Sequence, residues 1–587
     1  MKNILKSIFL VAFFAVLIGS CNDDFLNLKP LDRMSENDVW SDPALTELFV
    51  NEMYRGLGHG LNEAEVGSMC DESHFIHNYG TKQVVESNIN PSDIGQWGSG
   101  NQIEFRWDEL YKNIRYTNMF FENIEDVPFL DEEWRERLKG EVHFLRSYFY
   151  HNLVRNHGGV PIITKTFGLE DDFGVKRNTL DECIKFIVDE ANLAAGLLPL
   201  EHNDANIGRP TKGAALALKS RILLYAASDL FNDPSWAGAY SNPELISVSG
   251  DRNSKWQAAK AAAKEVMDLG IYQLHNDGSN PKDNYTNLFT VKESPEHIFS
   301  RNFLKTRSWS DGAITGLYNG PNGYHNWAGN TPVQELVDDY EMIDGTPFDW
   351  NNPAHAAAPY EDRDPRFSAS ILYDGAPWRP RPSDMTASDP VGIISIRSVE
   401  QADGTWAPGL DTRDGPIETW NGGYSGYYLR KSIDPTLDSQ YGPYGQNQEV
   451  PWHFFRLGEI YLNYAEACLG LGEEAEAKTY INMIRSRAGM PDVTETGQAL
   501  IDRYRNERRV ELAFEQHRYW DVRRWFTAPA ELGRNAHGIV INEYLDGSVT
   551  YETLSIQDRA WKDKMYLLPI LQEEVNRNPN LIQNPLY

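Results

Sequence analysis

Phe455-Arg-Leu-Gly-Glu-Ile-Tyr-Leu-Asn-Tyr-Ala-Glu-Ala-Cys468 repeats apolar residues at intervals of three and four, the spacing that lays one stripe along an α-helix. Gly470 and Gly472 break it. Glu473 opens a second amphipathic run through Ala477, Tyr480, Ile481 and Ile484, which closes near Gly489 with Pro491 just beyond, as helix stops do. Two antiparallel helices on a short glycine-containing turn make one helical hairpin, and Ala465 and Ala467 let the two backbones approach closely.

The same unit recurs upstream. Residues 138–155 are followed by 180–197, and 213–230 by 256–269, the last carrying Ala258, Ala259, Ala261, Ala262 and Ala263 for tight packing. Further helices are predicted over 38–56, 105–124 and 500–526. About four tetratricopeptide-like hairpins result, irregularly spaced, so the repeat is degenerate and the predicted class is mainly α. The scaffold spans 38–270 and 451–526.

Between its two parts, 271–450 changes character to loops rich in Gly, Pro, Asp and aromatic residues. Trp309-Ser-Asp-Gly, Gly316-Leu-Tyr318-Asn-Gly-Pro-Asn-Gly-Tyr324-His-Asn-Trp327 and Gly422-Gly-Tyr424-Ser-Gly-Tyr427-Tyr428 alternate turns with large rings. Such loops lie at surfaces, where rings meet ligands. A second irregular stretch, 57–102, holds Asp71, Trp97 and Asn101 between two predicted helices.

The chain has 587 residues, 41% of them hydrophobic, enough for a sizeable core. A formal net charge of −30 opposes binding to nucleic acid or anionic lipid headgroups, which requires clustered Lys and Arg. Lys2 and Lys6, an apolar run over 8–18, and Ile18-Gly19-Ser20-Cys21 form a bacterial lipoprotein signal, so residues 1–20 are expected to be removed and Cys21 lipidated. The apolar run is shorter than the roughly 20 residues of a spanning helix, which favours a cleaved signal over a membrane span. Cys70, Cys183 and Cys468 remain, far apart and odd in number, and read as small buried residues and not as a disulfide framework.

A set of short motifs, in order along nearly the whole chain, resembles the SusD-like (RagB/SusD) outer-membrane lipoproteins of Bacteroidetes. They are Cys21-Asn-Asp-Asp-Phe-Leu26 with Pro30, Glu141-Val-His-Phe-Leu-Arg-Ser-Tyr-Phe-Tyr150 leading to Gly158-Gly-Val-Pro161, Arg209-Pro-Thr-Lys-Gly-Ala214, Asp344-Gly345 with Asp362-Arg-Asp-Pro-Arg366, Ala465-Glu-Ala467, Ile484-Arg-Ser-Arg-Ala-Gly489, Glu507-Arg-Arg509 with Arg518-Tyr-Trp-Asp521, and the closing Gln583-Asn-Pro-Leu-Tyr587. Leu586 departs from the glycine usual in the family ending. The resemblance implies four tetratricopeptide-like units supporting an irregular glycan-binding region, an exterior-facing lipid anchor in the outer membrane, and a SusC-like TonB-dependent transporter over which the protein acts as a lid. A non-sugar nutrient such as a peptide, or a purely scaffolding subunit, is the alternative.

Sugar C–H faces pack on aromatic rings while hydroxyls pair with amides and carboxylates at the rim. Trp97, Trp309, Tyr318, Tyr324 and Trp327 are the platform candidates, although with 16 Trp and 29 Tyr most rings in the chain belong to the core. Asp71 and Asn101 resemble the family's polar ligand contacts, with a capping or turn role as the competing reading. HExxH, GxSxG and GxxxxGK[ST] patterns are absent, and paired carboxylates arise by chance among 85 Asp and Glu, so no catalytic residue is assigned. No cofactor or metal is assigned either; the acidic loops suit Ca²⁺ chemically but lack EF-hand spacing. Glu507, Arg508, Arg509, Arg518, Asp521, Arg523 and Arg524 interleave both signs and predict an intramolecular ion-pair network.

Overall fold

The hairpin at 455–490 ends its helices where its glycines stand. A computed structural model describes residues 36–77, 79–94, 102–306, 314–439 and 445–587. The long helices are α1 (Pro43–Met53), α2 (Trp107–Asn123), α3 (Glu132–His157), α4 (Leu180–Leu197), α5 (Lys212–Ala227), α6 (Arg252–Met267), α7 (Pro281–Thr290), α8 (Leu457–Gly470), α9 (Glu474–Arg487), α10 (Gly497–Glu511) and α11 (Arg518–Arg524). After α8, Gly472 takes φ +76°, its N–H reaches the Leu469 carbonyl at 3.0 Å and the Glu473 N–H reaches Cys468 at 2.8 Å. Gly489 repeats the arrangement after α9, with bonds to Ser486 and Arg485. These paired bonds close the last carbonyls of each helix in a left-handed turn that glycine adopts without a Cβ penalty.

Starts are capped as well. Asp131 accepts from the N–H groups of Glu133 and Trp134 at the head of α3, and Thr179 with Glu182 forms a reciprocal capping box on α4, devices that each contribute about 1 kcal/mol. From Leu138 to His157 almost every residue of α3 is buried, because α2 packs on one side of it and α4 on the other. The stack continues α4 on α5, α5 on α6, α6 on α8 and α8 on α9. Residues 271–450 therefore leave the scaffold after α6 and return to it at α8 without interrupting the helical packing. Cys70, Cys183 and Cys468 are buried free thiols.

The predicted helix over 500–526 is two helices. Phe514 and Gln516, between α10 and α11, adopt φ +63° and +62°, which ends the helix. Charge explains the break: Glu511 and Glu515 both reach the buried Arg456, which also takes Glu296 at 2.7 Å. Around it Arg487 pairs with Glu296 and Glu511, Arg366 with Asp364, Glu507 and Glu511, Arg485 with Glu341 and Glu507, Lys431 with Glu515, and Arg524 with Asp521 and Glu466. The network joins the 296–431 region to the scaffold through charge pairs buried on both sides.

The irregular region has its own apolar core, in which Tyr324, Val333, Leu336, Tyr340, Phe367, Ile371 and Tyr427 pack with Val510 and Ala513 of the scaffold side and with Ile539 and Ile541. The strands among the described residues are β1 (Ser73–Phe75), β2 (His297–Arg301), β3 (Asn330–Pro332), β4 (Ile371–Leu372), β5 (Ser398–Glu400), β6 (Trp406–Ala407), β7 (Tyr428–Leu429), β8 (Trp452–Arg456), β9 (Ala536–Glu543) and β10 (Val549–Gln557). Ile539 and Ile541 lie on β9, which pairs with β10 in a hairpin after the last scaffold helix. A four-stranded sheet of order β10-β9-β5-β6 joins that hairpin, through a parallel β9–β5 pair, to β5 (Ser398–Glu400) and β6 (Trp406–Ala407).

Candidate functional site

Two distant stretches of irregular chain meet at one antiparallel pair. β1 (Ser73–Phe75) lies against β3 (Asn330–Pro332) with Phe75 opposite Asn330, and the Ile76 N–H continues the ladder to the Gly329 carbonyl at 3.0 Å. Beneath it, the Asn319 carboxamide donates to Glu65 at 2.8 Å and accepts from Asn330, while Ser68 reaches Asn330 at 2.8 Å. Burial first, and the Glu72 carboxylate in addition, push the Glu65 carboxyl up to about 8 against the Asn319 hydrogen bond, so it is protonated at neutral pH.

The segment after residue 313 folds on itself. Thr315–Asn319 makes a single helical turn, the Trp327 N–H reaches Leu317 at 2.8 Å, and the Gly329 N–H reaches Tyr318 at 2.6 Å. Tyr318 and Trp327 thereby come together, ring centroids 5.8 Å apart, in a small apolar cluster with Ile314 and Leu317 that is separate from both large cores. Tyr318 is 9% exposed and Trp327 half-buried.

Beside them β1 delivers two rings that sequence reasoning missed. Tyr79 is 41% exposed, stacks on His77 at 5.5 Å with an interplanar angle of 2°, and stands edge-on to the buried Phe75. Its hydroxyl donates to Glu63 at 2.5 Å. Burial and the Glu63 carboxylate raise the pKa of both Tyr79 and Tyr318, which places both phenols near one acid. Burial lowers His77, which feels Glu63 and Arg413 in opposite directions. Arg413 lies 4.1 Å over the ring of Tyr424, 43% exposed. The result is a face of partly exposed rings, Tyr79, His77, Trp327 and Tyr424, with Glu63 and Arg413 among them. The signal for the missed rings was the pair of aromatic side chains, His77 and Tyr79, that follows directly on Phe75: Phe75 is buried and anchors the segment, and the chain beyond the end of β1 carries the next two rings outward.

Trp97, Asn101 and Trp309 lie outside the described residues. Of the others, Tyr318 and Trp327 come together. Tyr324 does not join them: it is fully buried, donates to the Arg379 carbonyl at 3.0 Å, and packs beneath the Arg381 guanidinium at 4.2 Å. Asp71 is also inside, 2% exposed, with both carboxylate oxygens held by Arg509 and Arg518 at 2.7–2.8 Å. Burial alone would raise its pKa; Arg509, Arg518 and Arg534 outweigh it and hold the carboxyl well below its ordinary value. Its lone pairs are committed to the fold. Cys468, Glu473 and Glu476 are the one metal-compatible group among the described residues, and both glutamates are bound by the Lys260 ammonium, at 2.5 and 2.6 Å.

No helix among the described residues is long and apolar enough to cross a membrane. A model of the SusD family matches residues 295–587, and a second family model, described as starch-binding associating with outer membrane, matches 24–224. The chain is 21% identical to a SusD-like protein of Formosa agariphila over 557 residues, covering 91% of this chain and 93% of the relative. A SusD-like protein of Bacteroides fragilis superposes with a TM-score of 0.72 at 29% identity, over 95% of this chain and all of that one. The surface glycan-binding protein A of Bacteroides thetaiotaomicron, solved with laminarihexaose, superposes at 0.60 with 17% identity, over 92% and 98% of the two chains. With family models matching both its halves and a shared helical stack throughout, the chain belongs to the SusD family.

Proposed function

We propose that the protein captures an extracellular glycan without catalysis and delivers it to a TonB-dependent outer-membrane transporter, over which it acts as a lid. The observation that carries the glycan reading is the ring face built by the β1–β3 pair: Tyr79, Trp327 and Tyr424 offer flat apolar surface, and Glu63, His77 and Arg413 offer hydrogen-bonding groups at its margin. The relative solved with laminarihexaose supports a saccharide as the ligand class. Lipidation at Cys21 would tether the protein beside its transporter at the cell exterior, since two or more acyl chains anchor stably.

Affinity electrophoresis of residues 22–587 through gels containing single polysaccharides, starch and laminarin among them, tests the reading. Retention by one polysaccharide is expected, reduced about tenfold or more in Trp327→Ala and in Tyr79→Ala, because a stacked ring contributes on the order of 1–2 kcal/mol. Retention by none of a broad panel, or retention indifferent to both substitutions, overturns it.

A further inference from the structure

A cleft of about 640 Å³ opens against α2, and none of its lining residues belongs to the ring face. Trp107, Tyr111 and Ile114 of α2 form its floor, and Phe167 and Phe173, in contact at 5.4 Å, form one wall. The C-terminal chain closes the other side with Arg577 and Leu581.

The polar groups there are unevenly committed. Tyr111 spends its hydroxyl on the Pro161 carbonyl at 2.8 Å, and Asn118 spends its amide on Ile163 and Lys165. Of the two lining carboxylates, Asp108 is held by Arg106 at 2.7 Å and Glu574 by Arg577 at 2.9 Å. The cations are not used in the same way. Arg115 has no carboxylate partner among the described residues and touches only the Met119 sulfur, at 3.4 Å. Lys165 is 63% exposed and stands 4.0 Å from Asp171. Trp107 is 95% buried and stands edge-on to His157 at 5.2 Å, whereas Phe173 is 54% exposed.

The cleft therefore presents apolar rings and the exposed cations Arg115 and Lys165, while Asp108 and Glu574 are each already paired with an arginine, in a chain whose net charge is −30. That combination selects an anion rich in acceptors and with one apolar face. A guanidinium pairs with a carboxylate or sulfate in a bidentate manner, and a sugar ring lays its C–H face on an aromatic ring. We propose that this cleft is a second saccharide site, selective for an acidic sugar residue, with Arg115 and Lys165 on the anionic group and the exposed Phe173 against the ring. The saccharide assignment rests on the proposed glycan function; the selectivity for an anion rests on the cleft alone.

Isothermal titration of residues 22–587 with oligogalacturonates, with κ-carrageenan oligosaccharides, which carry sulfate and no carboxylate, and with neutral maltohexaose tests it, the first two arms separating carboxylate from sulfate as the anionic group. At least one acidic arm should bind saturably, at least tenfold tighter than the neutral one, and weaken as salt rises. Arg115→Ala, an exposed position whose loss leaves the core intact, should weaken that binding tenfold or more, with partial recovery in Arg115→Lys. Phe173→Ala, at an exposed ring, should keep the fold by circular dichroism and weaken acidic-sugar binding about threefold or more. Arg115→Ala should leave gel retention at the ring face unchanged, and Trp327→Ala should leave acidic-sugar affinity unchanged, so failure of either site is seen separately. Absence of saturable binding in both acidic arms, or equal affinity in Arg115→Ala, overturns the proposal.

Discussion

Leu586 shows at a single residue why the family ending carries glycine. The backbone there has φ +69°, the left-handed region, and the leucine side chain is 52% exposed. The turn is imposed by its neighbours: Asn584 donates to the His157 and Leu568 carbonyls at 3.0 and 2.6 Å, and Arg177 donates to Asn584 and to the Ile582 carbonyl. A Cβ in this region costs roughly 1–2 kcal/mol, partly offset in glycine by greater chain entropy. Leu586→Gly is expected to stabilise the protein by about 0.5–1 kcal/mol, read as a higher urea midpoint at unchanged slope. A lower midpoint would mean that the exposed leucine contributes more packing than its surroundings indicate. Asp71 and Tyr324 make the complementary point: residue type and loop setting suit ligand contact, but burial and saturated hydrogen bonding commit them to the fold.

Among the elements, the junction of α10 and α11 decides how the irregular region is held. Glu511 ends α10 and accepts from Arg366 at 3.0 Å, Arg456 at 2.7 Å and Arg487. All three arginines are nearly inaccessible to water. Burying charges costs several kcal/mol each, repaid only when every partner is present, so removing one member leaves the rest uncompensated. Glu511→Ala should therefore cost about 3–5 kcal/mol in chemical denaturation and weaken ligand retention through displacement of the irregular region. A cost below about 1 kcal/mol would show that the network merely decorates the interface. Helix periodicity read α8 and α9 correctly because their apolar stripes and glycine stops are local features. It ran α10 into α11 because their separation depends on Arg456, more than fifty positions earlier, demanding two carboxylates at once.

For the whole molecule, buried titratable groups set the pH range of stability. Burial raises Glu65 to about 8 and Glu72 and Glu104 to about 7 from an ordinary 4.5. These raised carboxyls stabilise fully below pH 4.5, and their contribution is lost as pH climbs through 7–8. Burial lowers His74 and His157 to about 3, His297 to about 4, and His151, His453 and His517 well below 6.5. Those histidines are neutral in the fold, so their contribution is present above pH 6.5 and is lost as pH falls below it. Stability is expected to peak near pH 6.5, with urea midpoints lower at both pH 5 and pH 8.5. Glu65→Gln should raise the pH 8.5 midpoint more than the pH 5 midpoint; equal shifts would remove Glu65 from the account.

Helical periodicity, glycine stops and the ordered motifs determined from sequence alone a mainly α scaffold with a loop-rich region let into it, because each is a property of neighbouring residues. The interleaved charges from Glu507 to Arg524 likewise announced an ion-pair network, though not its reach to Arg366 and Arg456. The proposed binding face was legible only in part. Tyr318 and Trp327 lie twelve and three positions before Asn330, the residue that pairs with Phe75, and their loop brings them together. Tyr79 and Glu63 enter only because β1 pairs with β3 across more than 250 residues. Which rings emerge and which sink, as Tyr324 does, depends on what the rest of the chain places over them, and only the tertiary structure decides that.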